Sequence, residues 1–112
     1  MSTDYITFAD FMKVEIVLGE IMAVDVVPEA DKLLRLEVAV GEEQPRQIIS
    51  GIREYFSDPE ALVGVKCPFV LNIEPRTIRG LESQGMILAA DHDNQFAYFT
   101  PSVDMPPGTR LH

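Results

Sequence analysis

Apolar and polar positions alternate most clearly from Leu34 to Val40. Leu34, Leu36, Val38 and Val40 fall on one side, with Arg35, Glu37 and Ala39 on the other. A period of two predicts a strand with one buried face. Upstream, Val14, Ile16 and Leu18 alternate with Glu15 and Val17, and the extended pattern resumes from Ile21 to Val27. Gly19 interrupts this long strand, which predicts a bulge or sharp bend at that residue. Pro28-Glu29-Ala30-Asp31 predicts a turn, and Gly41-Glu42-Glu43-Gln44-Pro45 a polar hairpin loop. Arg46 to Ser50 returns as a third strand.

The remaining chain continues the alternation of short elements and breakers. Phe8, Phe11 and Met12 predict one amphipathic turn near the start. Ser57-Asp58-Pro59-Glu60 has the serine and the glutamate, three residues on, of a capping box. It predicts a short helix over Ala61-Leu62-Val63, closed by Gly64 in a left-handed conformation. Lys66 to Ile73 reads as a strand, with Pro68 placing it near an edge or bulge. Glu74 to Gln84 reads as a polar loop, Gly85 to Ala90 as the last barrel strand, and Asp91 to Gln95 as a turn. Phe96 to Thr100 reads as a sixth strand, and Pro106-Pro107-Gly108 as a terminal turn.

The order β-β-β-α-β-β predicts an all-β chain. Its expected form is an OB-fold five-stranded barrel with a short helix between strands 3 and 4. We expect one domain over 1–112, with a core at about 11–90 and a C-terminal hairpin extension at about 91–112. Phe96, Tyr98, Phe99, Val103 and Leu111 would leave that extension with an apolar edge. Pairing with a second copy is the usual way to cover one, so the extension is expected to serve dimerisation.

Composition narrows the setting. With 46% apolar and 24% charged residues in 112, the chain is globular rather than disordered. Its apolar stretches are too short to cross a bilayer, so no membrane partner is expected. Met1-Ser2-Thr3-Asp4-Tyr5 lacks the basic start and apolar run of a signal peptide. A single cysteine, Cys67, rules out an internal disulfide and disfavours a cysteine-based metal site. A cytoplasmic, reducing location is expected.

A net charge of −9 argues against a polyanionic partner until its distribution is considered. Residues 1–31 carry seven acids and one base, and residues 83–112 three acids and one base. Residues 32–82 are nearly balanced, with eight acids and seven bases: Lys32, Arg35, Arg46, Arg53, Lys66, Arg76 and Arg79. A local cationic surface on an acidic body is therefore available.

Three segments carry a family resemblance: Pro28-Glu29-Ala30-Asp31-Lys32-Leu33, Ile49-Ser50-Gly51-Ile52, and the run from Asn72 to Met86 that ends Ser83-Gln84-Gly85-Met86. Together they resemble the tRNA-binding domain family. That family includes the C-terminal appendix of many methionyl-tRNA synthetases and related free-standing dimers. The likeness runs from about Phe11 to Ala90, and the chain's length suggests a free-standing form or a separately encoded beta chain. The resemblance implies an OB barrel that grips tRNA by shape, a dimer formed through the C-terminal hairpin and N-terminal segment, and methionyl-tRNA synthetase as a partner. Carried over by position, the implied contacts are Lys32, Arg35, Ser50, Asn72, Arg76, Arg79, Ser83 and Met86. The chain departs from the common family pattern at Glu74 and Thr77, where lysines are frequent.

The residue chemistry supports two roles for most of these positions. Arg76 and Arg79, flanked by Pro75 and Gly80, suit phosphate contact or base stacking, or else ordinary surface pairing with Glu74 and Glu82. Ser83 to Met86 offer a hydroxyl, an amide, a bare backbone and a soft apolar contact suited to RNA. Met86 serves equally as a core residue, and Gly85 as a bulge. Arg35 is expected on the outward face of its strand, while Lys32, Ser50 and Asn72 also suit turn and backbone roles.

His92, between Asp91 and Asp93, reads as a solvated hairpin tip, and no ligand cluster accompanies it. No catalytic motif or cofactor fingerprint appears. The expectation is a non-catalytic, cofactor-free tRNA-binding protein, acting in trans for methionyl-tRNA synthetase. The alternative is a secretion-chaperone-like domain that binds extended polypeptide, favoured by the acidic body and Glu74.

Overall fold

The computed structural model describes residues 4–112; Met1 to Thr3, part of the start read above as lacking a signal sequence, lie outside them. A short helix, α1 (Phe8–Met12), is capped by Thr7, whose Oγ1 accepts from the Asp10 amide at 3.0 Å. None of its residues is buried, so the amphipathic turn forms with its apolar side open.

The barrel is built around β1 (Ile16–Val26), eleven residues long. Its second half pairs antiparallel with β2 (Leu34–Ala39), from Glu20 opposite Ala39 to Val26 opposite Leu34. The register shifts between Ile21 and Ala23, three residues beyond the expected bend. Gly19 has a different role. A Cβ there would lie 2.6 Å from the Phe69 ring and 2.7 Å from Val38, so glycine makes room where two core side chains converge.

β3 (Arg46–Ser50) returns antiparallel along β2, with Leu36 opposite Ile48. Two 3-10 turns follow, Arg53–Tyr55 and Pro59–Leu62, in place of the single short helix expected. Asp58 rather than Ser57 caps the second, its Oδ1 accepting from the Glu60 amide at 3.3 Å. Pro59 at the first position fixes φ and has no N–H, so the turn starts after Asp58 and the serine is left outside. Leu62 from this turn enters the core, and Gly64 closes it at φ 91 as expected.

β4 (Lys66–Val70) pairs with the first half of β1, from Ile16 opposite Val70 to Glu20 opposite Lys66. The segment expected to be a polar loop is a small hairpin of β5 (Arg76–Ile78) and β6 (Leu81–Ser83). We call it the flap. The strand expected over Gly85 to Ala90 is divided at Leu88 into β7 (Met86–Ile87), paired with β4, and β8 (Ala89–His92). β8 pairs with β9 (Gln95–Tyr98) around a turn at Asp93 (φ 49) and Asn94 (φ 63), a geometry that suits a two-residue hairpin.

The sheet order β3-β2-β1-β4-β7 wraps into a nearly closed antiparallel barrel, the OB-like fold that the element order predicts. Phe69, Ile21, Leu34, Leu36, Ile48 and Leu62 fill it and are fully buried. The C-terminal hairpin docks by stacking Phe96 on Tyr55, ring centres 5.1 Å apart, with Phe56 edge-on at 5.7 Å. The tail then runs back along β1. The Leu18 amide donates to Thr109 O and the Leu111 amide to Ile16 O, both at 2.8 Å, which occupies the backbone of that strand. No helix of the described residues is long and apolar enough to cross a membrane.

Candidate nucleic-acid interface

The nine basic side chains differ sharply in what holds them. Lys13, Arg35, Arg46 and Lys66 pair with Asp10, Asp25, Glu42 and Asp104 at 2.8–3.0 Å. Arg53 donates to Ala30 O, and Arg110 to the carbonyls of Met12 and Val14. Of the nine, only the side chains of Lys32, Arg76 and Arg79 have neither an ion pair nor a hydrogen bond among the described residues. The carboxylates of Glu74 and Glu82, the nearest candidates in sequence, engage neither arginine. These three cations are therefore available to an external anion without breaking an internal pair first.

Lys32 sits in the loop between β1 and β2, and Arg79 at the tip of the flap. Both line one groove, together with Glu29, Leu33 and Ile78. Arg79 and Gly80 both have positive φ, 53 and 80, in the two-residue turn that joins Ile78 to Leu81. Asparagine is favoured at the position that Arg79 holds, because the left-handed backbone brings Cβ against the following carbonyl and only a short polar side chain offsets this by bonding locally. Arg76 lies on the same hairpin, exposed, opposite Ser83.

The other sequence-predicted residues fall into two groups. Met86 is 41% exposed on β7, and Ser50 is half-buried at the end of β3. Ser83, Asn72 and Arg35 are engaged internally. Ser83 is only 5% exposed; its hydroxyl accepts from the Ile49 amide at 3.0 Å and donates to Gly85 O at 3.2 Å. Asn72 clamps the entry to β1, its Oδ1 accepting from the Glu15 amide at 2.7 Å and its Nδ2 donating to Lys13 O at 2.6 Å. Arg35 lies on the outer face as expected, but donates to Asp25 at 2.9 Å and to Gln47 at 2.6 Å.

Residues to which the sequence assigned no such structural role close the barrel beside the flap. Gln47 and Gln84 exchange backbone and side-chain bonds: the Gln84 amide donates to Gln47 O at 2.8 Å, and the Gln47 amide to Gln84 Oε1 at 2.9 Å. Arg46 donates to Leu71 O at 2.7 Å and Gln84 O at 3.0 Å, joining β3 to the chain beyond β4. Its pair with Glu42 holds that carboxyl below the usual range and the guanidinium above its own. Gly85 fits under this seam because a Cβ would lie 2.8 Å from Val70 O.

The Cys67 thiol is fully buried, and desolvation pushes its pKa up to about 12, which keeps it from acting as a nucleophile. His92 projects at the tip of the C-terminal hairpin, 3.3 Å from Asp93, both strongly exposed. Among the described residues no group of three His, Cys, Asp or Glu side chains is placed to hold a metal.

The family match gives the chain its class, a tRNA-binding domain. The chain belongs to the tRNA_bind family, described as "Putative tRNA binding domain", whose model matches residues 16–110. It is 44% identical over 108 residues to a methionine–tRNA ligase of Caldanaerobacter subterraneus subsp. tengcongensis, covering 96% of this chain and 17% of that one. The chain thus spans about a sixth of the length of that curated relative. Among solved structures, a MetRS related protein from Pyrococcus horikoshii superposes with a TM-score of 0.89 at 28% identity, covering 98% of this chain and all of that one. A CsaA chaperone protein from Picrophilus torridus superposes with a TM-score of 0.85 at 26% identity, covering 96% and 100%.

Proposed function

We propose that the chain is a non-catalytic tRNA-binding protein whose contact surface is the flap and the loop between β1 and β2. Lys32, Arg76 and Arg79 supply the phosphate contacts, and Met86 and Ser50 add contacts along the rim. Ser83, Asn72 and Arg35 hold the backbone that presents them. The observation that carries this reading is the distribution of partners. Three of nine cations lack an internal partner, two of them line one groove, and all lie in segments that match the family pattern.

Recognition is positional. Guanidinium and ammonium groups on a rigid barrel read the spacing of phosphates, and sequence contributes little. The relation to methionine–tRNA ligases supports action in trans, raising the local tRNA concentration for a synthetase without entering its chemistry. The single domain works as a cytoplasmic homodimer. Phe8, 78% exposed on α1, and Phe99 and Val103 on the tail are large apolar groups in the two segments assigned to pairing.

A second reading is favoured by the likeness to a chaperone protein and by the net charge of −9: an acidic barrel that binds extended polypeptide. One titration separates the two. Bulk tRNA and a reduced, unfolded polypeptide are each titrated at 50 and 300 mM salt. Retention of tRNA at low salt that falls steeply at high salt supports the first reading. Polypeptide binding that persists at high salt, with no tRNA retained, selects the second.

A further inference from the structure

Arg35 resembles a phosphate-binding residue in sequence, yet its surroundings give it other work. On the outer face of the barrel, Asp25 on β1 stands opposite Arg35 on β2, and their side chains pair at 2.9 Å. The Arg35 Nε donates to Gln47 Oε1 on β3 at 2.6 Å. The far end of the same amide, Gln47 Nε2, donates to the backbone carbonyl of Glu82 on β6 at 2.8 Å. An unbroken run of polar contacts therefore crosses β1, β2 and β3 and ends on the flap.

We infer that Arg35 and Gln47 are positioning residues that hold the flap, and with it Arg76 and Arg79, at a fixed orientation on the barrel. At its base the flap is already joined to β3, by the Ile49 amide donating to Ser83 Oγ and the Gln84 amide to Gln47 O; the Gln47–Glu82 bond extends that hold outward. β5 and β6 pair only with each other and belong to a separate two-stranded sheet. Three residues per strand bury little, and an isolated hairpin of that size is marginal. Glu82 sits in the middle of β6, so a bond to its carbonyl restrains the hairpin close to both cations.

The amide is suited to this position because it accepts at one end and donates at the other. Arg35 fixes which end does which: a guanidinium only donates, so it selects the oxygen of Gln47 and turns the NH2 group toward the flap. Asp25 fixes the guanidinium in turn. Lysine cannot reproduce this, since its single ammonium does not offer two separated donors in one plane.

This inference rests on the tRNA reading for its effect on binding, but not for its effect on the flap, so two measurements are paired. Amide hydrogen exchange in the free protein reads the flap directly. Gln47→Glu keeps the pair with Arg35 but removes the donor to Glu82 O, and should speed exchange at Leu81 to Ser83 about tenfold relative to the barrel strands. Arg35→Lys should act in the same direction. Flap exchange unchanged in both variants overturns the inference, whatever the protein binds.

Titration with bulk tRNA gives the second readout. Gln47→Glu and Arg35→Lys should each weaken binding about fivefold without changing the slope of log affinity against log salt. The double variant should be no weaker than the worse single, because both act through one path. Wild-type affinity in Arg35→Lys, with a slope about one unit shallower in Arg35→Ala, identifies Arg35 as a direct phosphate contact and overturns the positioning role. If wild-type protein retains no tRNA, the functional reading fails and the exchange result alone decides the role of Arg35 and Gln47.

Discussion

Arg46 faces Glu42 through two hydrogen bonds, of 2.9 Å from Nε and 2.8 Å from Nη2, while its remaining nitrogen reaches two backbone carbonyls across the barrel seam. One side chain therefore ties the loop before β3 to the ends of β4 and β6. Arg46→Met should remove about 1–3 kcal/mol of stability, since Leu71 O and Gln84 O lose a charged donor at a part-buried site. The Glu42 carboxyl is lowered on folding, so its contribution is present above its ordinary value of 4.5 and lost as pH falls through the lower folded value. Thermal unfolding of wild type and Glu42→Gln should differ near neutrality and converge in acid. A gap that stays constant from neutrality into acid, with no narrowing below the ordinary carboxyl value, contradicts this assignment.

The tip of the flap separates folding from binding. Arg79 holds a left-handed position at φ 53 where asparagine is favoured. Arg79→Asn should raise stability by about 0.5–1 kcal/mol, measured by denaturant unfolding, while weakening tRNA retention. Improved stability with unchanged binding would remove Arg79 from the contact surface.

Cys67 gives a probe of the core. Burial and a pKa near 12 should leave it unmodified by a thiol reagent at pH 8 in native protein. Reaction should appear only with global unfolding, as followed by mass spectrometry across a denaturant series. Rapid labelling without denaturant contradicts the packing described.

The apolar ends predict an assembly. Phe8→Ser combined with Phe99→Ser should convert a dimer to a monomer in sedimentation velocity, with the barrel's circular dichroism retained. Removal of residues from Asp91 onward should give monomers or aggregates, because it also takes away Phe96 and the tail along β1. A stable, unaltered dimer in either case contradicts the role of these segments.

One central strand, β2, was fully legible because its period of two is unbroken, whereas β1 buries Val17, Leu18 and Gly19 in succession. The burial of β2 alternates as the sequence predicts. The flap was not legible. Three residues per strand carry no periodic signal, and an arginine at a left-handed turn position hides the hairpin. The bend of β1 was placed at its glycine, yet Gly19 is required by side chains fifty and nineteen residues away, Phe69 and Val38. The site shows the same limit. Residue type marked Lys32, Arg76 and Arg79 as cations, but only the fold shows which cations lack partners. The long-range bonds of Ser83, Asn72 and Arg35 to Ile49, Glu15 and Gln47 leave no trace in residue type either.

The salt dependence of tRNA binding by Lys32→Ala/Arg76→Ala/Arg79→Ala tests the account most directly. Each lost phosphate contact should flatten the slope of log affinity against log salt by about 0.7–0.9. The triple variant should therefore be shallower by about 2–3 units and at least tenfold weaker at low salt, with an unchanged unfolding midpoint. Wild-type affinity and slope in a folded triple variant would show that tRNA, where it binds at all, is held by some other surface.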